Sequence, residues 1–330
     1  MYEPSETRYE TMPYNRCGKS GLRLPALSVG LWQNFGVNND YDTMKEIILT
    51  AFDHGVTHFD LANNYGPEPG RAEINFGRIF KENLRPYRDQ LIISTKAGYE
   101  MWPGPYGGRG GSRKYLTASL DQSLQRMGLE YVDIFYHHCM TPDTPLKETA
   151  LCLADLVRRG KTLYVGMSNY DGKTMHRMYH KCDDVQAPFV INQNRYSIFD
   201  RTVEKNKLLK EAQDKGKGVI CFSPLAQGQL SDKYAKGIPE GARLFGNEKL
   251  QAHVGYDQHR AQQIEKLYQL AKDRGETLSQ LAIQWLWQQK GVTSVLVGVH
   301  SKAQLLENLA ALEQPPLSEA ELIRIDSYSK

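Results

Sequence analysis

Asp60, Tyr65, Lys96 and His138 are four groups able to carry protons, and each follows an apolar run that reads as a β-strand. The runs are 56–59, 91–95 and 131–136. A free tyrosine has a pKa of about 10, too high for efficient acid work at neutral pH. An ammonium nearby favours the phenolate and lowers that value. Lys96 can supply the ammonium, Asp60 can hold Lys96 by a salt bridge, and His138 can donate a hydrogen bond to a substrate oxygen. Together they make a proton donor and an oxyanion-type site for a carbonyl being reduced. Any one of them alone would read as a turn residue or an ion-pair partner. Three consecutive strand ends with a tyrosine between them form a more pointed pattern.

The elements that position these groups alternate along the chain. Residues 15–24 read as a hairpin around Gly18-Lys19-Ser20-Gly21. Strands are expected at 26–30, 56–59, 91–95, 131–136, 163–167, 189–192, 218–222 and 293–297. Helices are expected at 41–54, 72–82, 114–127, 172–181, 203–215, 259–274 and 279–289. Ser112 is a candidate N-cap, Thr144-Pro145 opens a further helix, and capping boxes at 301–304 and 318–321 open the last two. A Gly- and Lys-rich loop runs from 223 to about 254. Eight strands alternating with helices allow a doubly wound sheet, a closed barrel or two βα domains. No linker or composition change divides the chain. The reading is one α/β domain over 1–330: a (β/α)8 TIM barrel with an N-terminal β-hairpin, a polar extension over 1–13 and a long loop after strand seven. In such barrels catalytic groups stand at the C-terminal strand ends.

Composition narrows the function. The 330 residues carry 41 basic and 38 acidic side chains, a formal net charge of +3, well mixed along the chain. No basic block argues for nucleic acid, and no apolar run is long enough to span a membrane. The first residues lack the apolar stretch of a signal peptide. Five scattered cysteines without a CxxC pair read as reduced thiols, which suggests a cytoplasmic protein. His176 and His180 have the spacing of paired metal ligands but no Glu follows His176, so no metal site is expected. Cys139 has no activating base in the sequence and receives no nucleophilic role. The Gly-rich stretch 104–111 has neither the dinucleotide-fingerprint spacing nor a Walker lysine.

The strings Phe-Asp-Leu-Ala-Asn-Asn-Tyr-Gly (59–66), Ser-Thr-Lys-Ala-Gly (94–98) and Tyr-Val-Asp-Ile-Phe-Tyr-His-His (131–138) resemble the aldo-keto reductase superfamily. So do Val-Gly-Met-Ser-Asn-Tyr (165–170) and Phe-Ser-Pro-Leu-Ala-Gln-Gly (222–228), and the likeness runs in order from about 14 to 326. Within the superfamily the chain looks most like the bacterial branch that reduces L-glyceraldehyde 3-phosphate and methylglyoxal. That branch is related to the β subunits of voltage-gated potassium channels. The resemblance implies a catalytic tetrad of Asp60, Tyr65, Lys96 and His138, with His137 a packing residue. It implies NADPH bound on a barrel without a Rossmann fingerprint, and a small aldehyde or ketoaldehyde as substrate. Ser168, Asn169 and Gln193 would bind the carboxamide, Phe222 would stack on the nicotinamide, and Gln304, Glu307 and Asn308 would lie at the adenosine end. Phe222 stands where channel β subunits carry Trp, which keeps the stacking face.

Barrels often bind phosphate after strands seven and eight. Ser223, Leu225, Gly228 and Lys233 follow the seventh, and Ser301, Lys302 and Gln304 open the helix after the eighth. Lys233 and Arg243 are placed to meet a 2′-phosphate, which favours NADPH/NADP+ over NADH; His300 stands where relatives often have a smaller residue. Trp32, Trp102 and Tyr106 are expected to wall the substrate, and Arg109 and Arg113 to meet a substrate phosphate. By analogy with the branch, the protein would be a homo-oligomer, tetramer or octamer. Two rival readings exist. One is a regulatory subunit that holds NADPH as a ligand, as channel β subunits do. The other is a barrel isomerase or aldolase using Lys96 as a Schiff base, opposed by Asp60, which keeps the amine charged.

Overall fold

Eight parallel strands close on themselves in the computed structural model, which describes residues 2–242 and 244–329, and residue 253 by its backbone alone. They are β3 (Leu27–Gly30), β4 (His58–Asp60), β5 (Ile92–Ala97), β6 (Val132–His137), β7 (Thr162–Ser168), β8 (Phe189–Arg195), β9 (Gly218–Phe222) and β10 (Val292–Val297). Each pairs with the next in sequence, and β10 returns to β3, completing the (β/α)8 barrel. Apolar strand residues face outward to the helices as well as inward, as a parallel sheet covered on its outer face requires.

The hairpin β1 (Tyr14–Arg16) and β2 (Arg23–Pro25) closes the N-terminal end of the barrel. Cys17, Leu22 and Leu24 are buried against Ile134, Tyr136, Ile191, Ile220 and Leu296 from the strands. Gly18 at the hairpin turn has φ +57°, and a Cβ there would stand 2.1 Å from the Gly216 carbonyl oxygen, so only glycine fits. The polar N-terminal extension is tied down: the Tyr2 hydroxyl donates to Asp53 at 2.7 Å and Arg8 to Gln90 at 2.7 Å.

Several outer helices begin where side-chain caps satisfy their first N–H groups. Asp40 caps α1 (Tyr41–Asp53), and Ser112 caps α3 (Arg113–Met127). Between them α2 (Arg71–Ile79) is shorter than the expected 72–82. It widens into a π turn (Phe80–Leu84) and a 3₁₀ turn (Arg85–Gln90), where Pro86 lacks the N–H to continue an α-helix. Pro145 is itself the N-cap of α4 (Leu146–Arg158), without a side-chain cap from Thr144. After α5 (Gly172–Asp184), the expected helix 203–215 is broken into α6 (Thr202–Lys205) and α7 (Leu208–Asp214), because Lys207 adopts φ +65°. The stretch after β9 is less irregular than expected: it carries 3₁₀ turns at Ala226–Gly228 and Asp232–Tyr234 and the helix α8 (Glu248–His253). Helices α9 (Gln258–Asp273), α10 (Leu278–Trp287), α11 (Lys302–Leu309) and α12 (Glu319–Ser329) complete the chain. Ser301 caps α11, and Ser318 and Glu321 bond reciprocally at the start of α12.

Candidate active site

Strand alternation sorts β5 into two faces. Thr95 points outward, its hydroxyl donating to Glu73 at 2.5 Å, and Glu73 is in turn paired with Arg126 at 2.7 Å. Ser94 and Lys96 point into the barrel. Lys96 is fully buried and its ammonium has three acceptors: Asp60 Oδ2 at 2.5 Å, the Leu61 carbonyl at 2.6 Å and Tyr65 Oη at 3.1 Å. An ammonium has three N–H donors, so these partners saturate the charged form. Burial lowers the Lys96 pKa and the Asp60 carboxylate opposes the fall. An amine so occupied has no free lone pair for a Schiff base.

A chain of buried groups lies below this pair. Asp60 Oδ1 accepts from Ser94 Oγ at 2.6 Å and from Gln193 Nε2 at 3.1 Å. His58 Nε2 stands 3.0 Å from Ser94 Oγ, His58 Nδ1 stands 2.9 Å from Ser28 Oγ, and Ser28 and Ser294 are 2.6 Å apart. Ser94 has one proton and gives it to the carboxylate, so His58 Nε2 must donate to Ser94. Nδ1 must then accept from Ser28, and Ser28 from Ser294. Every donor in the chain points toward Asp60. Burial pushes His58 down to about 4, consistent with this neutral tautomer. His58 and Ser94 precede Asp60 and Lys96 by two residues, so period-two spacing was the sequence signal for them.

Above the pair, the Tyr65 and His138 rings meet at 5.9 Å, Tyr99 packs edge-on to His138 at 4.6 Å, and Trp32 lies 6.3 Å from Tyr65. Burial, then Lys96 and His137, holds His138 well below its ordinary value, so it is a neutral imidazole. Its Nδ1 is buried with no partner, and the ring lines the cavity. His137 turns away, bonding to the Tyr170 hydroxyl at 2.7 Å. The expected lowering of the Tyr65 pKa is not what the geometry gives. Burial and the Asp60 charge push the phenol well above its ordinary value. The Lys96 charge is already countered by Asp60 2.5 Å away, so little of it is left to acidify Tyr65.

These groups open onto a cavity of about 530 Å³ at the C-terminal end of the barrel. Asp60, Tyr65 and His138 line it together with Trp32, Asn169, Gln193, Phe222, Ser223, Leu225, Gly228 and Gln304. Lys96 and Ser168 lie behind this surface, Ser168 accepting from Asn169 Nδ2 at 3.3 Å. Other expected residues stand outside the lining. Lys233 lies in the Asp232–Tyr234 turn, Glu307 and Asn308 lie further along α11, and Arg243 falls outside the described residues. Trp102 packs on Tyr115 at 5.2 Å because its loop folds on itself, Met101 N–H donating to the Gly107 carbonyl at 2.9 Å. Tyr106 is exposed beneath the Lys114 ammonium. Arg113 is spent on Asp155 and, through its backbone N–H, on Glu148 at 3.0 Å. Sequence reasoning missed Tyr99 and Arg195. Both follow named positions, Tyr99 three after Lys96 and Arg195 two after Gln193.

A dinucleotide fits the donor set. The Asn169, Gln193 and Gln304 side chains and the Phe222 ring all line the cavity. One turn beyond Gln304, on the same face of α11, the buried Asn308 amide leaves both polar atoms unmatched. The residues Asn169, Ser223, Ala226 and Gln227 hold positive φ around the cavity, the kind of strain that gathers at ligand clamps.

The fold and the site together define a (β/α)8-barrel enzyme with a buried Lys–Asp pair beneath a tyrosine. Residues 26–330 match the aldo/keto reductase family. The chain is 51% identical over 329 residues to "L-glyceraldehyde 3-phosphate reductase" of Escherichia coli O157:H7, covering 97% of this chain and 93% of that one. It is 34% identical to "Probable voltage-gated potassium channel subunit beta" of Arabidopsis thaliana, over 93% of each chain. The crystal structure of a thermostable aldo-keto reductase with the inhibitor epalrestat superposes with a TM-score of 0.76 at 30% identity, covering 96% of this chain and all of that one. The chain belongs to the aldo/keto reductase family and is an oxidoreductase.

Proposed function

We propose that the protein reduces small aldehydes and ketoaldehydes with NADPH, L-glyceraldehyde 3-phosphate and methylglyoxal among them. The observation that carries this is the Lys96 ammonium, sealed by Asp60 and Leu61 and presenting its third N–H to Tyr65 at 3.1 Å beneath an open cavity. The names of the Escherichia coli relatives support the phosphorylated substrate.

NADPH held in this cavity would supply hydride chemistry for the carbonyl carbon. Tyr65 gives its phenolic proton to the carbonyl oxygen. Because its pKa is raised, the phenol is fully protonated beforehand, and the hydrogen bond from Lys96 strengthens as negative charge gathers on Oη. His138, neutral and with Nδ1 unpartnered, carries its proton on Nε2 and donates it as a hydrogen bond to the same oxygen. Asp60 and its donor chain hold Lys96 in place. Asn169, Gln193, Phe222, Ser223, Leu225, Gly228 and Gln304 hold the cofactor, Ser168 supports Asn169, and Trp32 walls the substrate.

The Tyr65→Phe variant tests the assignment. It should bind NADPH as the parent does, read by fluorescence, and lose roughly 10²–10⁴-fold in kcat. Undiminished turnover would remove Tyr65 from the acid role. A parent protein that binds NADPH tightly but oxidises it with no aldehyde would favour the regulatory reading. We further infer a cytoplasmic homo-oligomer acting on a small molecule; the five buried free cysteines fit a reducing compartment.

A further inference from the structure

Only two charged side chains line the cavity among the described residues, Asp60 and Arg195. Asp60 is neutralised by Lys96 at 2.5 Å, which leaves the Arg195 guanidinium as the uncompensated charge. Arg195 ends β8, is exposed, and meets no carboxylate among the described residues; its nearest described partner is the Phe222 ring at 5.9 Å. We propose that Arg195 is the receptor for an anionic tail on the aldehyde, so that the site selects phosphorylated three-carbon aldehydes over uncharged ones. This rests on the reductase reading given above and names its specificity.

A second guanidinium packs on Tyr99, a ring that lines the cavity. Arg109 lies 5.3 Å over the Tyr99 ring and donates to Cys139 Sγ at 3.3 Å, again with no carboxylate partner among the described residues. Tyr99 feels both cations: Arg109 and Arg195 each draw its pKa down, against burial and Cys139, which raise it. The same ring packs on His138 at 4.6 Å. Both guanidiniums therefore act on a ring that touches the group we assign to the carbonyl oxygen. A planar guanidinium pairs with phosphate through two parallel N–H donors, which a lysine cannot do. Arg113, the other arginine of the Gly-rich loop, has its guanidinium paired with Asp155.

The test is the Arg195→Gln variant, with Arg195→Lys beside it. For glyceraldehyde 3-phosphate, kcat/KM should fall about 10- to 100-fold, chiefly through KM, the usual worth of a charge-assisted pair. For unphosphorylated glyceraldehyde it should stay within about twofold, as should KM for NADPH. Arg195→Lys should recover part of the loss. An equal loss on both aldehydes, or a raised KM for NADPH, would assign Arg195 to the cofactor and overturn the proposal, as would an unchanged preference. Calorimetric binding of glycerol 3-phosphate separates this from the reductase reading. A parent protein that binds it through Arg195 yet oxidises no NADPH would keep the anion site and lose the activity. A parent that binds it no better than Arg195→Gln would lose the anion site whatever its activity.

Discussion

At the floor of the cavity Asp60, Lys96 and His58 are fully buried, and each of their polar side-chain atoms has a partner within the barrel. At its rim Arg195 is exposed, Phe222 is half-buried, and the turn after β9 holds Ser223, Ala226 and Gln227 at positive φ. The floor is made by strands, whose alternation and register leave little freedom. The rim is made by strand ends and loops, which hold strained backbone and uncompensated charge. A dry, bonded floor keeps its dipoles oriented before substrate arrives, so no reorganisation is needed during proton transfer. An open rim leaves groups free to bond a ligand. On the proposed assignment, chemistry and recognition are separated by depth.

The contrast can be tested from the floor outward. Lys96→Met should be the most damaging change. It leaves the Asp60 carboxylate buried without its ion partner, and breaking such a pair costs about 3–5 kcal/mol. Denaturant midpoints should fall accordingly and turnover should vanish; a variant of parental stability would show that the floor is wetter than its burial indicates.

Acid should weaken the floor next. His58 and His137 are pushed down to about 4 by burial, against about 6.5 in an unfolded chain. Between those values the unfolded chain binds protons that the folded chain refuses. Their contribution is therefore complete above about pH 6.5 and is lost as pH falls toward 4, roughly 3 kcal/mol for each histidine. Urea titrations at pH 7 and pH 4.5 should show the drop, and replacing His58 with Phe should flatten it in part, the buried His137 and His138 keeping the remainder. A level profile in the parent would contradict a neutral, buried His58.

The rim should respond least. Ala226 sits at φ +47°, where a Cβ is strained, so Ala226→Gly should gain up to about 1 kcal/mol in stability. Thermal melts would read the gain, while kcat for the aldehyde should stay near the parent value. A large fall in kcat would mean that the strained turn takes part in the chemistry and that the division by depth is too simple.

Much of the floor was legible in the chain before any coordinates. Asp60 and Lys96, with His138 above them, lie at or beside the ends of apolar runs, and a parallel barrel leads such ends to one face. Trp102 and Tyr106 were not legible in the same way. Their loop contains Gly104 and Gly107, and its self-folding through Met101 and Gly107, which turns Trp102 onto Tyr115, has no periodic signature. The break at Lys207 and the π turn after Ile79 were hidden for a related reason, since apolar spacing continues across both.

The order of residues alone determined the eightfold alternation, the residue types at three neighbouring strand ends and the family, because these depend on spacing and local periodicity. The direction of the Tyr65 shift, the one-way donor chain through His58 and the bringing of Arg195 and Arg109 to the same Tyr99 ring were decided only by the closed barrel. Burial and charge compensation are properties of what surrounds a group in space. Those neighbours come from residues as far apart in sequence as Ser28 and Ser294.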